Sequence, residues 1–178
     1  AVIVVDSITP YDDRTVDVYM RIEEGDKYYV RDITWVGNTI YLSDYLSAKL
    51  RMKKGDVYNQ KLLNERLSSD DDAIGNEYYN QGYVFYQLDP VEINIDGDSI
   101  DLEMRIMEGP QATLNRVTIN GNDRLYENVV RRELRTKPGD LFSKEAIERS
   151  YRDIAQMGHF NPETINPDIK PDPETGTV

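Results

Sequence analysis

The stretch Met20-Arg21-Ile22-Glu23-Glu24-Gly25 returns 84 positions later as Met104-Arg105-Ile106-Met107-Glu108-Gly109. The same shift carries Gly37-Asn38 onto Gly121-Asn122. It also superimposes residues 33–35 on 117–119, residues 46 and 50 on 130 and 134, and residues 55–58 on 139–142. A fixed period of this length indicates repeated supersecondary units. The sequence therefore predicts two copies of one module in series, a first unit at residues 25–108 and a second unit at residues 109–178.

The spacing of the two copies changes within the second helix of each unit. Gly82-Tyr83 matches Gly158-His159 at a shift of 76 positions, so the first unit holds eight residues more than the second. Eight residues add a little over two helical turns at about 3.6 residues per turn. We therefore expect the extra residues to lengthen one helix without rotating its apolar face much.

Each unit is predicted to begin with a strand that is followed by two amphipathic helices. The strand covers residues 29–36, with Ile33 and Trp35 on one face. The first helix carries an apolar stripe at positions i, i+3, i+4 and i+8. Its members are Leu42, Tyr45, Leu46 and Leu50 in the first unit and Tyr126, Val129, Val130 and Leu134 in the second. Asn59 and Ser143 are placed to cap the second helix, whose apolar positions in the first unit are Leu63, Leu67, Ile74 and Tyr78.

A β-hairpin closes the module. Its first strand has Val91, Ile93 and Ile95 alternating with Glu92 and Asn94, and Asp96-Gly97 provides a tight turn. Its second strand has apolar residues at alternate positions, namely Ile100, Leu102, Met104 and Ile106. Such alternation is typical of half-buried strands. The fold class is therefore α+β, with tandem β-α-α-β-β modules in which two antiparallel helices cover one face of a three-stranded sheet.

Both ends of the sequence fit the same module. Residues 1–24 are interpreted as the closing hairpin of a preceding unit, with a turn around residues 10–13. In the second unit, residues 166–170 and 171–176 are predicted to form the first strand and the turn of a hairpin that lacks its last strand. Because unpaired strand edges attract further strands, we expect exchange of strands between copies of this chain.

The composition excludes several classes of function. A net charge of −12 disfavours binding to nucleic acid, which is itself polyanionic. No apolar run approaches the roughly 20 residues that a membrane-spanning helix needs. Because the sequence contains no cysteine, disulfides and thiolate metal ligands are excluded.

Residues with catalytic or metal-binding chemistry form no recognised pattern. His159 is the one histidine in the sequence, with no cysteine or second histidine beside it. The aspartates at positions 70–72, and those at 96, 98 and 101, lack the loop pattern of a calcium-binding EF-hand. A hydrolase would need two of the 33 acidic residues to converge in one cleft. We therefore expect no enzyme activity, no metal and no cofactor.

Aromatic residues cluster around the end of the second helix of the first unit. We predict core positions for Trp35, Tyr78 and Tyr83. Because aromatic side chains dominate binding interfaces, Tyr79, Phe85 and Tyr86 are the predicted contact aromatics.

Four short motifs follow one another in a fixed order. They are Val36-Gly37-Asn38, Lys54-Gly55-Asp56, Asn80-Gln81-Gly82-Tyr83-Val84 and residues 104–110, which run straight into the next unit. In their order and spacing these motifs resemble the POTRA (polypeptide-transport-associated) domains of the BamA family of outer-membrane assembly factors. The eight extra residues resemble the longer-helix variants of the family, whereas His159 stands where the family usually has an aromatic ring.

The resemblance implies a periplasmic location, as the soluble part of an outer-membrane protein. It implies attachment to a C-terminal membrane β-barrel of the same parent chain, which is not in this sequence. It also implies binding of unfolded outer-membrane proteins and docking of accessory lipoproteins.

In the family the first strand of the hairpin lies at a sheet edge, which here points to residues 86–95. A sheet edge offers unpaired N–H and C=O groups to an extended client, although Pro90 removes one donor. The predicted pairing segment is Val91, Glu92, Ile93, Asn94 and Ile95. The alternatives are a structural spacer or a POTRA-type interaction module of a related two-partner secretion, translocation or division protein, and a carboxylate-based hydrolase.

Overall fold

The computed structural model describes residues 2–10, 14–23, 26–123 and 125–178. In chain order the elements are β1 (Val2–Pro10), β2 (Val16–Glu23), β3 (Tyr29–Val36), α1 (Ser43–Leu50), α2 (Gln60–Asn64), α3 (Ile74–Asn80), β4 (Gln87–Asp96), β5 (Ser99–Met107), α4 (Glu127–Arg131) and α5 (Lys144–Gln156). A π-helical turn, Glu65–Ser69, follows α2, and a 3₁₀ turn spans Pro162–Thr164. The predicted α+β class is confirmed. Residues 11–13 of the turn predicted around residues 10–13, and the join at Glu24-Gly25, lie outside the described residues.

The first unit contains a three-stranded sheet with the strand order β3-β5-β4. The strands β4 and β5 form the predicted antiparallel hairpin, and β3 runs parallel to β5. Two parallel strands need a long crossover connection, which here is the helical segment between residues 43 and 80. The strands β1 and β2 form a separate antiparallel hairpin, as the repeat predicts.

The helices cover one face of this sheet and bury most of the predicted apolar positions. The alternate residues of β5 face the helices and are at most 7% exposed; they are Ile100, Leu102, Met104 and Ile106. Leu46, Leu50 and Leu63 pack on them with almost no exposure. Full burial of an aliphatic side chain contributes about 1.5–3 kcal/mol, so this cluster is the main source of stability.

The first position of the predicted stripe lies outside the first helix in both units, and the second position of the first unit, Tyr45, is 39% exposed. Leu42 is 79% exposed and the equivalent Tyr126 is 84% exposed. Both residues precede the helix and have an extended backbone, with ψ values of 147° and 137°. Because helical spacing does not apply to a residue outside the helix, these two side chains point away from the core.

The second helix of the first unit is broken, which differs from the single lengthened helix that the insertion predicts. α2 passes into the π-helical turn, and the chain is extended at Asp70, with φ −71° and ψ 154°. Serine and aspartate compete for backbone hydrogen bonds and favour such breaks. Asn76 Nδ2 holds the loop by donating to the carbonyl oxygens of Asp70 and Asp71, at 2.9 and 3.1 Å. The predicted apolar positions on either side of the break are nevertheless buried.

The repeat is confirmed at the level of individual hydrogen bonds. Asn38 Nδ2 donates to Tyr41 O at 2.9 Å, and Asn122 Nδ2 donates to Leu125 O at 3.0 Å. Each turn that follows the first helix is also closed by a backbone N–H to aspartate bond of 2.8 Å. The pairs are Lys53 with Asp56 and Lys137 with Asp140. The N-caps predicted at Asn59 and Ser143 are present as well.

The second unit forms less sheet than the sequence predicts. Residues 115–120, which correspond to most of β3, are not in a strand, and neither are residues 166–170. Thr177 and Val178 take the place of the start of β5, and Val178 N donates to Thr113 O at 2.9 Å. Strand backbone needs a partner for its N–H and C=O groups. Backbone hydrogen bonds of Gly176 and Val178 reach only Thr113 and Asn115, and among the described residues no backbone partner is found for residues 116–120, which stay irregular.

Candidate binding site at the sheet edge

The strand β4 is an edge of the three-stranded sheet. It pairs with β5 on one side, and no other described strand pairs with its opposite side. The predicted pairing segment, residues 91–95, forms the half of β4 next to the turn. Ile93 and Ile95 on this segment are 49% and 53% exposed. The edge therefore combines unpaired backbone groups with exposed apolar side chains.

A β-bulge at Ile93 changes which face each side chain takes. Glu92 pairs with Leu102 and Asn94 pairs with Asp101, so Ile93 is an extra residue on β4. A bulge of one residue reverses the alternation beyond it. The predicted common face of Val91, Ile93 and Ile95 is therefore wrong. Val91 lies on the outer face of the sheet, whereas Ile95 lies on the helix side opposite a buried residue of β5.

Two polar contacts fix the side chains around the edge. Tyr58 Oη donates to Glu92 Oε1 at 3.0 Å on the helix side. Burial and this hydrogen bond raise the pKa of Tyr58 to about 12. On the outer face, Arg31 forms a bidentate ion pair with Asp101. This pairing, together with a hydrogen bond from Asn94, lowers the pKa of the Asp101 carboxyl.

The three predicted contact aromatics do not form one exposed surface. Tyr86 is only 8% exposed and stacks on Tyr78 at a centroid distance of 4.2 Å, so the structure places it in the core. Tyr79 is half-buried and meets Tyr86 edge-on at 6.1 Å. Phe85 is half-buried against Gly109 at the join of the two units. Aromatic residues close in sequence to Gly82, at the end of the second helix, are therefore packed in this structure rather than exposed. The core positions predicted for Tyr78, Tyr83 and Trp35 are confirmed, the last two being half-buried.

A buried carboxylate at the join was not among the predicted site residues. Glu108 is 9% exposed, and its Oε1 accepts hydrogen bonds from Thr39 N, Ile40 N and Tyr78 Oη at 2.9, 3.0 and 3.1 Å. The Thr39 hydroxyl donates to Oε2. Burial by itself would raise the pKa of Glu108, but these hydrogen bonds hold it below its ordinary value. The signal in the sequence is the Glu-Gly pair that stands at both predicted joins between units, at residues 24–25 and 108–109.

Direct contacts join the two units. Ala112 N donates to Gly82 O at 2.8 Å, and Gln111 Nε2 donates to Gln81 O at 2.9 Å. Leu141 of the second unit packs so closely on Gly82 that an added Cβ would lie 2.7 Å from it. Lys144 and Glu145 at the start of α5 bond to the side chains of Asn76 and Asn80 on α3, at 2.7 and 2.8 Å.

The residues considered for metal binding or catalysis have structural partners or are exposed. Asp72 pairs with Arg51 and Arg66, chiefly the latter, and its pKa falls to about 2. His159 is exposed on the second unit. Within the described parts of the chain, no three histidine or acidic side chains are grouped to hold a metal ion. In the same residues, no helix is long and apolar enough to cross a membrane.

Comparison with known proteins identifies the module. The family model "POTRA: Surface antigen variable number repeat" matches residues 28–109 and again residues 112–178. POTRA domains 3–5 of Haemophilus influenzae BamA superpose with a TM-score of 0.68 at 20% identity, covering 89% of this chain and 62% of that one. BamA of Haemophilus ducreyi lacking POTRA domains 1–3 gives 0.58 at 19% identity, covering 75% and 25%. These solved structures show the fold.

Two curated relatives match by sequence. A Treponema pallidum protein named "Putative outer membrane protein assembly factor" is 26% identical over 175 residues, which are 98% of this chain and 20% of that protein. The outer membrane protein assembly factor BamA of Nitratidesulfovibrio vulgaris is 24% identical over 152 residues, which are 85% and 19%. This chain thus spans about a fifth of the length of these relatives. The chain belongs to the POTRA family.

Proposed function

We propose that this chain binds unfolded outer-membrane proteins by adding their extended segments to the edge strand β4, and that it docks accessory subunits of an assembly complex. The observation that carries the proposal is the position of β4, which has one side unpaired among the described strands. An extended segment can bond to such an edge whatever its side chains are, because main-chain groups make the contact. The chain then acts by binding and not by catalysis.

The outward-facing backbone groups of β4 can be assigned from the strand register. In an antiparallel pair, residues alternate between those whose N–H and C=O groups face the partner and those whose groups face away. Counted from the turn and across the bulge at Ile93, the outward positions include Ile95, Glu92 and Pro90. Pro90 has no N–H, so it ends the run of donors. The expected contact for a client is therefore the short run from Glu92 to Ile95.

The apolar side chains of this run extend the contact. Ile93 and Ile95 are about half exposed and lie next to the outward backbone groups of Glu92 and Ile95. A client strand from a membrane barrel alternates apolar and polar residues, so every second side chain can pack on this apolar pair. Hydrogen bonds to the backbone allow clients of many different sequences to bind. Ile93 and Ile95 favour those clients in which apolar and polar residues alternate.

Paired lysine substitutions test the proposal. The probe is a ten-residue peptide with the alternating apolar pattern of a membrane β-strand, titrated while its affinity is measured by fluorescence anisotropy. Ile93→Lys is expected to weaken binding about tenfold, because a charge on the edge opposes strand addition. The matched control is Val36→Lys on the other edge strand β3, since Val36 is also 49% exposed. Equal weakening by both variants, or by Val36→Lys alone, would contradict pairing at β4.

We further propose that the repeat defines the domain limits. Residues 25–108 are then one POTRA domain, residues 109–178 are a second that lacks its last strand, and residues 1–24 are the closing hairpin of a preceding one. Val16, Val18 and Met20 support the last point. They are 50–61% exposed, while their equivalents in the first unit, Ile100, Leu102 and Met104, are at most 2% exposed. In a preceding unit, helices would cover these three side chains.

A structural spacer is the second candidate function, and the contacts between α3 and α5 favour it. A spacer needs a fixed angle between its units and no affinity for clients. The peptide titration distinguishes the two functions, because a spacer would not bind the ten-residue probe at any concentration. Rigid inter-unit contacts together with peptide binding would support client binding on a fixed scaffold.

A further inference from the structure

A groove on the second unit runs between the segment after α4 and the outer side of α5. It has a volume of about 380 Å³ and adjoins a second groove of about 370 Å³, with Arg135, Asp153 and Gln156 lining both. Four guanidinium groups line the combined surface, those of Arg132, Arg135, Arg149 and Arg152. Three carboxylates accompany them, so the surface has a net positive charge. We call this surface the arginine groove.

The whole chain has a negative net charge, although the arginine groove is locally positive. Residues 1–108 hold 11 basic and 22 acidic residues, whereas residues 109–178 hold 10 basic and 11 acidic residues. Nearly all of the net charge of −12 therefore belongs to the first part of the sequence. Salt at physiological concentration screens the negative charge of residues 1–108 over about 8–10 Å, so this charge acts only at short distances. An acidic ligand at the arginine groove meets little repulsion from the second unit itself.

The first unit shows which side chains pair with arginines in the region that corresponds to the arginine groove. Arg51 corresponds to Arg135 at the shift of 84 positions, and Arg51 Nη2 pairs with Asp72 Oδ2 at 2.6 Å. Arg66, which is buried, pairs through Nη1 with Asp70 at 2.8 Å and with Asp72 at 2.7 Å. These aspartates belong to the loop that breaks the second helix, where the first unit has its eight extra residues. Asp70 and Asp72 of this loop therefore pair with the two arginines of the first unit, of which Arg66 is buried and Arg51 is 65% exposed.

The second unit lacks that loop. Arg135 keeps the position of Arg51, but Ser150 stands at the position of Arg66, and Arg149 and Arg152 lie beside it on α5. Arg135 pairs with Asp153 at 2.8 Å and Arg149 pairs with Glu145, but both arginines remain largely exposed. Arg152 is exposed and has no ion-pair partner among the described residues. A guanidinium group can bind a carboxylate through two parallel hydrogen bonds, which gives direction as well as charge. The groove thus offers exposed guanidinium donors, of which only that of Arg152 is without an ion-pair partner in the described part of the groove.

We propose that the arginine groove binds an acidic peptide segment of a partner protein, as Asp70 and Asp72 pair with Arg51 and Arg66 in the first unit. The site concerns a different unit from the edge strand β4 and a different chemistry. Failure of edge pairing therefore leaves this proposal standing, and the reverse also holds.

The test uses the whole chain and a synthetic peptide with the sequence of residues 68–73, Ser-Ser-Asp-Asp-Asp-Ala. Backbone amide shifts are followed during titration at low salt. We expect shifts at Arg149, Arg152 and their neighbours on α5, and none on β4. Arg149→Gln combined with Arg152→Gln should weaken binding about tenfold, since two charged hydrogen-bonded contacts are lost.

Matched controls make the outcome decisive. Arg105→Gln with Lys170→Gln removes the same charge elsewhere, from two exposed side chains, and should leave affinity unchanged. A peptide with asparagine in place of its three aspartates should not bind. The proposal is overturned if both double variants lose equal affinity, if the asparagine peptide binds equally well, or if only vesicles of anionic lipid bind at these arginines.

Discussion

Glu108 accepts hydrogen bonds from two segments of the first unit, the loop after β3 and the helix α3, so replacing it tests how the join to the second unit is held. Glu108→Ala leaves Thr39 N, Ile40 N and Tyr78 Oη without their acceptor. Hydrogen bonds to a charged group contribute about 1.5–3 kcal/mol each, but water can replace the partner of the first two, which lie in an exposed loop. Tyr78 is fully buried and has no such replacement. We expect a loss of about 3 kcal/mol in the free energy of unfolding.

Glu108→Gln separates charge from geometry. The glutamine keeps one carbonyl oxygen for the same three donors, and the Thr39 hydroxyl can rotate to accept from the new amide. The loss should therefore be smaller, about 1–2 kcal/mol, for the missing charge. Urea unfolding followed by the fluorescence of Trp35 measures both variants, because Trp35 is the one tryptophan and packs on the core of the first unit. Glu127→Gln, an exposed member of an ion pair, is the control and should change stability by less than about 0.5 kcal/mol.

The effect of Glu108 should also depend on pH. Hydrogen bonding lowers its folded-state pKa below the unfolded value of about 4.3. A depressed pKa means that the stabilisation is present above about pH 4.3 and is lost as the pH falls through the folded value. The difference between the wild type and Glu108→Gln should therefore shrink on acidification from pH 6 to pH 3. A difference that is absent at pH 6, or that stays constant with pH, would refute the role given to this carboxylate.

Three further substitutions follow from the packing. Gly82→Ala should destabilise the chain by about 1–3 kcal/mol because of its positive φ and the contact with Leu141, whereas Gly55→Ala, with a similar φ and open space around it, should cost less in the same urea titration. Arg66→Met should open the loop at residues 70–73, because one partner of a buried charge cluster is lost; unchanged rates of limited proteolysis there would oppose this. Tyr86→Phe should be neutral or stabilising by up to about 1 kcal/mol in thermal unfolding, since the Tyr86 hydroxyl is buried with no partner among the described residues.

The repeat was predictable from the sequence because many of its matching positions are glycines and other turn residues. Gly55 and Gly139 have φ values of 93° and 92°, and glycine adopts this region without strain. The alternation of apolar and polar residues along β5 was equally predictable, since every second residue faces the helices. These features depend on local geometry, which a single sequence contains.

Features that depend on distant partners were not predictable in this way. The bulge at Ile93 leaves the apolar and polar pattern of β4 intact, so its reversal of the two faces shows only in the register with β5. The break in the second helix depends on Arg66 and Asn76 reaching the aspartate loop. Glu108 looks like an ordinary surface acid until the loop after β3 surrounds it. In each case a tertiary contact decides between two structures that local preference allows.

Hydrogen exchange of the β4 amides in the presence of a client peptide tests edge pairing most directly. With the alternating ten-residue probe at saturation, the outward N–H groups of Glu92 and Ile95 should exchange more slowly by about tenfold or more. The amides of Thr34 and Val36 on β3 should exchange at their original rates. Unchanged exchange at Glu92 and Ile95, or slowing at β3 instead, would contradict the assignment of β4 as the client-binding edge.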